Sequence, residues 1–262
     1  MFEFPQFDPV AVDFGIFQVR WYGISYVAGL LLAWWLLHYR SLRQPLLGWT
    51  PVQVSDLIFY ATLGILFGGR LGSVLFYNLP YYLEHPLEIL MINRGGMSFH
   101  GGFFGVMLAL WYYSRKIDQG FLETTDFIVP VVPVGLFFGR IANFINGELW
   151  GTETTVPWAV IYPTPGGGIA RHPSQLYEAL LEGVLLFIIL WVFSGRIRPK
   201  MAVSGLFLAG YGLFRCMVEF VRAPDAEIGY LAGGWLTMGM LLSFPMLLAG
   251  IAMLVTAYRR TG

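Results

Sequence analysis

Cysteine occurs once in this sequence, at Cys216, which excludes an intramolecular disulfide and any multi-cysteine metal site. Histidine is scarce as well. His38, His85, His100 and His172 form no H-E-x-x-H run and no multi-histidine ligand spacing, so neither a metal nor another cofactor is expected. No G-x-S-x-G elbow is present, which weakens a serine esterase. Ser98 stands two residues from His100, a spacing with no diagnostic weight. Charge is sparse: Asp, Glu, Lys and Arg make up 12% of the 262 residues, where a soluble domain carries about 25%. The formal net charge is zero, so no bulk basic surface points to nucleic acid. The stretch from Met1 to Arg20 is acidic, is broken by Pro5 and Pro9, and lacks the basic start of a cleavable signal peptide. Membrane entry is therefore expected to use the helices themselves.

What the sequence has in quantity is apolar. Hydrophobic residues make up 56% and the mean hydropathy is +0.63. The 9 Trp, 14 Tyr and 22 Phe suit aromatic belts at two interfaces, and the 32 Gly suit closely approaching helices. A span needs roughly 20 mostly apolar residues. Seven are read, at about 21–37, 55–76, 98–113, 126–146, 175–193, 203–221 and 235–258. The expected fold is all-α, a polytopic transmembrane bundle in which residues 1–262 form a single membrane-embedded domain. One set of connections holds nine basic residues: Arg40, Arg43, Arg115, Lys116, Arg196, Arg198, Lys200, Arg259 and Arg260. The other holds four: Arg20, Arg94, Arg171 and Arg222. The positive-inside rule then puts the C-terminus in the cytoplasm and the N-terminus outside.

The remaining cations, Arg70, Arg140 and Arg215, fall inside spans, where charge is costly and points by default to function. Each precedes the outer end of its span by about six residues, or roughly 9 Å along a helix. His100, Glu178 and Glu182 lie at the outer ends of inward-running spans, so polar groups are expected to share one layer in the outer leaflet. Guanidinium groups match phosphate with paired donors, and the nearest phosphate in a membrane is a lipid headgroup. Arg215 and Glu219 stand at i and i+4, one face of a helix, with Tyr211 one turn earlier. The bland alternative is that these charges only tie helices together, and it weighs most for Arg70. Gly64, Gly68 and Gly72, Gly101 with Gly105, and Gly135 with Gly139 repeat every fourth residue, a pattern for close helix packing.

Three segments carry chemical content. In GRIANFINGELWG, residues 139–151, Arg140 and Asn143 share a helical face with Asn146 beyond, a break is expected at Gly147, and Glu148 follows. In NRGGMSFHGG, residues 93–102, His100 stands at the membrane edge, either structural or a general base near neutral pH. In RHPSQLYE, residues 171–178, Ser174 is expected to cap a helix behind Pro173, and His172 is read as a loop anchor before a second base. Cys216 points about 100° away from Arg215 round the helix and is read as core.

These segments, together with GLFLAGYGLFRCMVEFVRAPD at 205–225, resemble the prolipoprotein diacylglyceryl transferase family in content and order. The resemblance covers most of the chain, although the 152–170 loop is short beside some relatives. It implies a seven-span, multi-pass enzyme of the bacterial inner (cytoplasmic) membrane with its N-terminus periplasmic. It implies phosphatidylglycerol, drawn from the membrane lipids, as donor, and the lipobox cysteine in the signal peptide of a preprolipoprotein as acceptor. The products would be a thioether-linked diacylglyceryl protein and glycerol phosphate. Position by position, it assigns Arg140 and Arg215 as essential arginines and His100 as candidate base. Tyr26, Asn143, Glu148, Tyr211 and Glu219 would line the site. Two rival readings fit the same arginines, a membrane lipid carrier and a lipid-phosphate hydrolase. The absence of a repeat weighs against the carrier, and only the resemblance separates thiol transfer from hydrolysis.

Overall fold

The computed structural model describes residues 1–15, 18–91, 95–163, 168–224 and 229–259. Asn93, Arg94, Asp225 and Arg260, all used in the sequence reading, lie outside the described residues. The helices are α1 Trp21–Arg43, α2 Pro51–Phe76, a short α3 Leu79–Glu84, α4 Phe99–Lys116, α5 Phe121–Ile128, α6 Val132–Ile145, α7 Ser174–Glu178, α8 Leu186–Phe193, α9 Ala202–Glu219 and α10 Met238–Arg259. A 3-10 turn, Val129–Val131, joins α5 to α6, and a π-helical stretch, Ala179–Leu185, joins α7 to α8. Five stretches are long and apolar enough to cross a membrane: Pro51–Phe76, Phe121–Ile145, Ser174–Phe193, Ala202–Glu219 and Met238–Arg259. The protein is therefore a multi-pass helical membrane protein. Helices α1 and α4 occupy the other two expected positions but end in Arg40 and Arg43, and in Arg115 and Lys116. Helix α1 runs on to Arg43, past the expected end at 37, because backbone hydrogen bonding continues where apolar content stops.

Short strands qualify the all-α expectation. Strand β1 (Phe2–Glu3) pairs parallel with β4 (Val160–Tyr162), which pairs antiparallel with β5 (Ile169–Arg171). Strands β2 (Val10–Asp13) and β3 (Gln18–Arg20) form a separate antiparallel pair. All five lie outside the expected spans.

The chain divides into two compact units, Met1–Leu36 with Asp126–Gly262, and Leu37–Thr125. In the second, Thr50 opens α2 with a reciprocal cap: its hydroxyl accepts from the Gln53 amide at 3.2 Å, and the Gln53 side chain accepts from the Thr50 amide at 2.9 Å. Helix α2 then packs on α4 through the expected glycines. A Cβ on Gly64 would lie 2.6 Å from the Gly105 carbonyl oxygen, and one on Gly68 would fall on the Gly101 carbonyl. Both obstacles are backbone, which cannot step aside. Gly68→Leu is expected to destabilise the protein by at least about 1–3 kcal/mol. Denaturant titration in detergent micelles checks this, and an unchanged midpoint would mean that α2 and α4 do not pack through this glycine.

Arg70 takes the bland role. It is buried, and its guanidinium donates to the main-chain carbonyls of Ile89 (2.8 Å), Glu88 (2.5 Å), Gly95 (2.5 Å), Met91 (3.2 Å) and Gly96 (3.3 Å). It also sits 5.1 Å from the centre of the Tyr82 ring. The reading of Arg70 as part of an anion-binding layer is corrected: its donors are committed to the main-chain carbonyls of Glu88, Ile89, Met91, Gly95 and Gly96.

In the first unit, α9 starts where Asp126 accepts from the amides of Met201 (2.6 Å) and Ser204 (2.8 Å) and from the Ser204 hydroxyl (2.6 Å). Helices α9 and α10 approach at Gly212, where a Cβ would lie 2.7 Å from the Leu247 amide. Leu186, Leu190, Val203 and Phe214 form a buried core beside α8 and α9. The pair Gly135 and Gly139 behaves differently from the others. An added Cβ at either would meet nothing within 4 Å, so neither position requires glycine for want of space, although α1 does approach Gly135, whose Cα would lie 3.5 Å from a Cβ on Gly29.

Candidate active site

Helix α6 ends as its sequence dictates. Asn146 closes the last turn on Ala142 at 2.9 Å, and Gly147 follows at φ +65°, in the left-handed region that favours glycine. The reversal brings Glu148 back to the helix end. Its Oε1 accepts from the Asn143 side-chain amide at 2.8 Å and the Asn146 amide at 3.4 Å. Its main-chain oxygen accepts from Gln175 at 2.6 Å, and the fully buried Gln175 in turn accepts from the Tyr162 hydroxyl at 3.1 Å. Ser174 does not cap α7 as expected. It lies inside the helix behind the N-cap residue Pro173, and its hydroxyl instead donates to the Leu149 carbonyl at 3.0 Å.

One turn further, Glu178 is fully buried and gathers three guanidinium groups. Arg140 Nε lies at 3.2 Å and Arg222 Nη1 at 3.1 Å, and Arg215 pairs with it directly. Arg215 also pairs with Glu219, the i, i+4 partner on α9. Glu219 accepts from the buried Thr237 hydroxyl at 2.5 Å and lies 3.8 Å from Arg222 Nε. Glu182, in the π-helical stretch, is also fully buried, with one oxygen 3.6 Å from Arg140 Nη2. Such stretches are frequent at functional sites. Three arginines thus face three carboxylates drawn from α6, α7 and its extension, α9 and the segment after it. The formal charges cancel. Arg140 is the most open of the three, its side chain 16% exposed against 13% for Arg215 and 8% for Arg222.

Comparison with known proteins points one way. The family model described as prolipoprotein diacylglyceryl transferase matches residues 9–256. The chain belongs to the prolipoprotein diacylglyceryl transferase family. The similar proteins named phosphatidylglycerol–prolipoprotein diacylglyceryl transferase include one from Solidesulfovibrio magneticus, 56% identical over 97% of this chain and 96% of its own. Another, from Azotobacter vinelandii, is 56% identical over 99% of this chain and 98% of its own. A third, from Ectopseudomonas mendocina, is 53% identical over 99% and 97%.

In this diacylglyceryl transferase family member, the sequence-predicted residues fall in several places. Arg140, Arg215 and Glu219 come together in the buried cluster, and Asn143 meets Glu148 at the end of α6. Tyr211 lies one turn before Arg215, stacked on Phe207 with ring centres 6.0 Å apart. Tyr26 is half-exposed on α1, 5.1 Å from the ring of Tyr22, and Tyr22 is itself within electrostatic range of Arg140 and Glu148. His100 belongs to the other unit, on the first turn of α4, exposed and edge-on to Phe99 at 5.6 Å. Cys216 is partly exposed and is not core, as it lies on the flank of α9 away from the buried Phe214 and Val218.

Sequence reasoning missed Arg222, placed among outer-loop cations, and gave Glu178 and Glu182 no partners. The signal was available: Arg222 stands three residues after Glu219, and the two glutamates are at i and i+4. His172 takes the anchoring role, with its Nδ1 3.2 Å from the Tyr177 hydroxyl, which accepts from Trp158 at 2.7 Å. Burial holds the His172 imidazole below its usual range. The fold thus favours the neutral ring. Its contribution to loop stability is complete above about pH 6.5 and declines as pH falls below that. Proteolysis of the 150–173 loop is expected to speed up on mild acidification in the native protein, while His172→Gln responds less; equal responses would remove His172 as the cause.

Proposed function

We propose that this protein transfers the diacylglyceryl group of phosphatidylglycerol to the lipobox cysteine thiol of prolipoproteins, releasing glycerol phosphate. The chain is an enzyme of the diacylglyceryl transferase class. The observation that carries the site assignment is the charge-balanced cluster around Glu178, whose most open guanidinium, Arg140, stands beside the Asn143–Glu148 pair. In the reaction, the C–O bond between the glyceryl carbon and phosphate breaks and its electron pair leaves on the phosphate oxygen. A C–S bond forms from the thiolate, the reactive form of cysteine. Arg140 and Arg215 hold the phosphate and stabilise the charge that grows on it. Glu219 orients Arg215, His100 takes the thiol proton, and Asn143, Tyr26, Glu148 and Tyr211 line the site. The leaving phosphate supplies the driving force, so this chemistry requires no metal or nucleotide.

In this reading residues 1–262 form one membrane-embedded domain. Seven spans cross the bacterial inner membrane, with the N-terminus periplasmic and the C-terminus cytoplasmic, an orientation supported by the excess of basic residues in one set of connections. Reporter fusions should report residue 262 as cytoplasmic and the 147–174 loop as periplasmic. A periplasmic C-terminus would invert the orientation and remove the outer-leaflet placement of Arg140. Purified protein, phosphatidylglycerol and a lipobox peptide should give a diacylglyceryl adduct on cysteine by mass spectrometry. Release of free diacylglycerol without adduct would instead mark a hydrolase.

A further inference from the structure

Glu182 differs from the other carboxylates of the cluster. It is fully buried, yet neither of its oxygens accepts a hydrogen bond from any described residue. Its contact with Arg140, at 3.6 Å, is too long for one. Glu178, by contrast, receives three arginines, and Glu219 receives Arg215 and the Thr237 hydroxyl. The charged and titratable groups facing Glu182 are Glu178 on its own helix, Arg140 on α6, Tyr211 and Arg215 on α9, and Arg222 beyond. By formal charge, three arginines balance three glutamates before a ligand arrives. A phosphodiester held at Arg140 adds one negative charge to a buried, weakly polarisable site, where an uncompensated charge is costly. An arginine, already protonated, has no proton to gain. Among the carboxylates, Glu182 has the fewest donors to lose.

We propose that Glu182 takes up one proton when a phosphate anion binds at Arg140, keeping the charge of the cluster constant. The proton comes from water, and the carboxylate becomes a neutral acid. Arg140 thereby exchanges a carboxylate neighbour for the phosphate. This inference rests on the reading of the cluster as the headgroup site.

Calorimetric titration of the purified full-length protein, in buffers of different ionisation heat, measures the protons taken up per ligand bound. Short-chain phosphatidylglycerol and free glycerol phosphate are the two probes. On the alkaline side, where Glu182 starts ionised, the expected result is uptake approaching one proton per phosphatidylglycerol, with affinity weakening about tenfold per pH unit. Glu182→Gln should bind without uptake and with affinity independent of pH. Equal uptake by Glu182→Gln and the native protein would overturn the proposal, as would native binding without uptake. If the variant fails to fold, infrared difference spectra of the native protein decide: binding should raise a protonated-carboxyl band, and its absence sinks the idea. Phosphatidylglycerol that gives no binding heat in any buffer overturns the headgroup site itself. Proton-linked binding of glycerol phosphate alone keeps the proton exchange but assigns the site to free phosphate.

Discussion

Arg140→Lys is expected to lower diacylglyceryl transfer by about 10²–10³-fold, the effect of losing one aligned donor to a developing anion, in protein that still inserts and folds. Lysine keeps the positive charge but is a point donor without the planar fork of guanidinium. In the structure Arg140 already commits Nε to Glu178, at 3.2 Å, and leans Nη2 towards Glu182, at 3.6 Å. An ammonium group satisfying Glu178 has no second edge left for phosphate. The loss should appear in turnover as well as in lipid binding, because the donor matters most as the leaving oxygen gains charge. Membrane yield and size-exclusion profile verify folding. Near-native turnover in well-folded protein would remove Arg140 as the phosphate clamp.

His100→Asn should slow transfer by about 10²–10⁴-fold at neutral pH, the usual contribution of a general base, while lipid binding stays nearly intact. His100 stands exposed at the start of α4, where Ser98 caps the helix by accepting from the Gly101 amide at 3.2 Å. The cap does not depend on the imidazole, so the substitution should leave the helix in place. Raising the pH towards about 8.5, the ordinary pKa of a cysteine thiol, should restore part of the rate, because thiolate then forms unaided. A loss equal at every pH, together with weak phosphatidylglycerol binding, would make His100 a lipid-binding or structural residue. The arginines would then have to lower the thiol pKa themselves.

How legible these features were depends on the range of the interaction that makes them. Helix positions follow from apolar content, which is local: each expected span overlaps a helix or a run of helices, and five of these are long and apolar enough to cross a membrane. The Arg215–Glu219 pair and the packing of Gly64, Gly68 and Gly72 on α4 follow from helical periodicity. The break at Gly147 follows from what only glycine does cheaply. The convergence of Arg140, Arg215 and Arg222 on Glu178 follows from none of these, because it joins residues from distant parts of the chain. Arg70 shows the opposite failure. A buried arginine that suggested phosphate spends its donors on backbone carbonyls, and no sequence pattern marks which carbonyls a loop will offer. The pairing of β1 with β4 is likewise invisible, since two residues near the N-terminus carry no strand signal of their own.

The central claim, that Arg140 grips the phosphate of the lipid donor, is tested most directly by solid-state NMR on protein with ¹⁵N-labelled arginine and bound phosphatidylglycerol. Lipid phosphorus should dephase guanidinium nitrogen signals, and Arg140→Lys should abolish the share belonging to that residue. Bound lipid whose phosphorus dephases no guanidinium signal, or the same signals in Arg140→Lys as in the native protein, would contradict it.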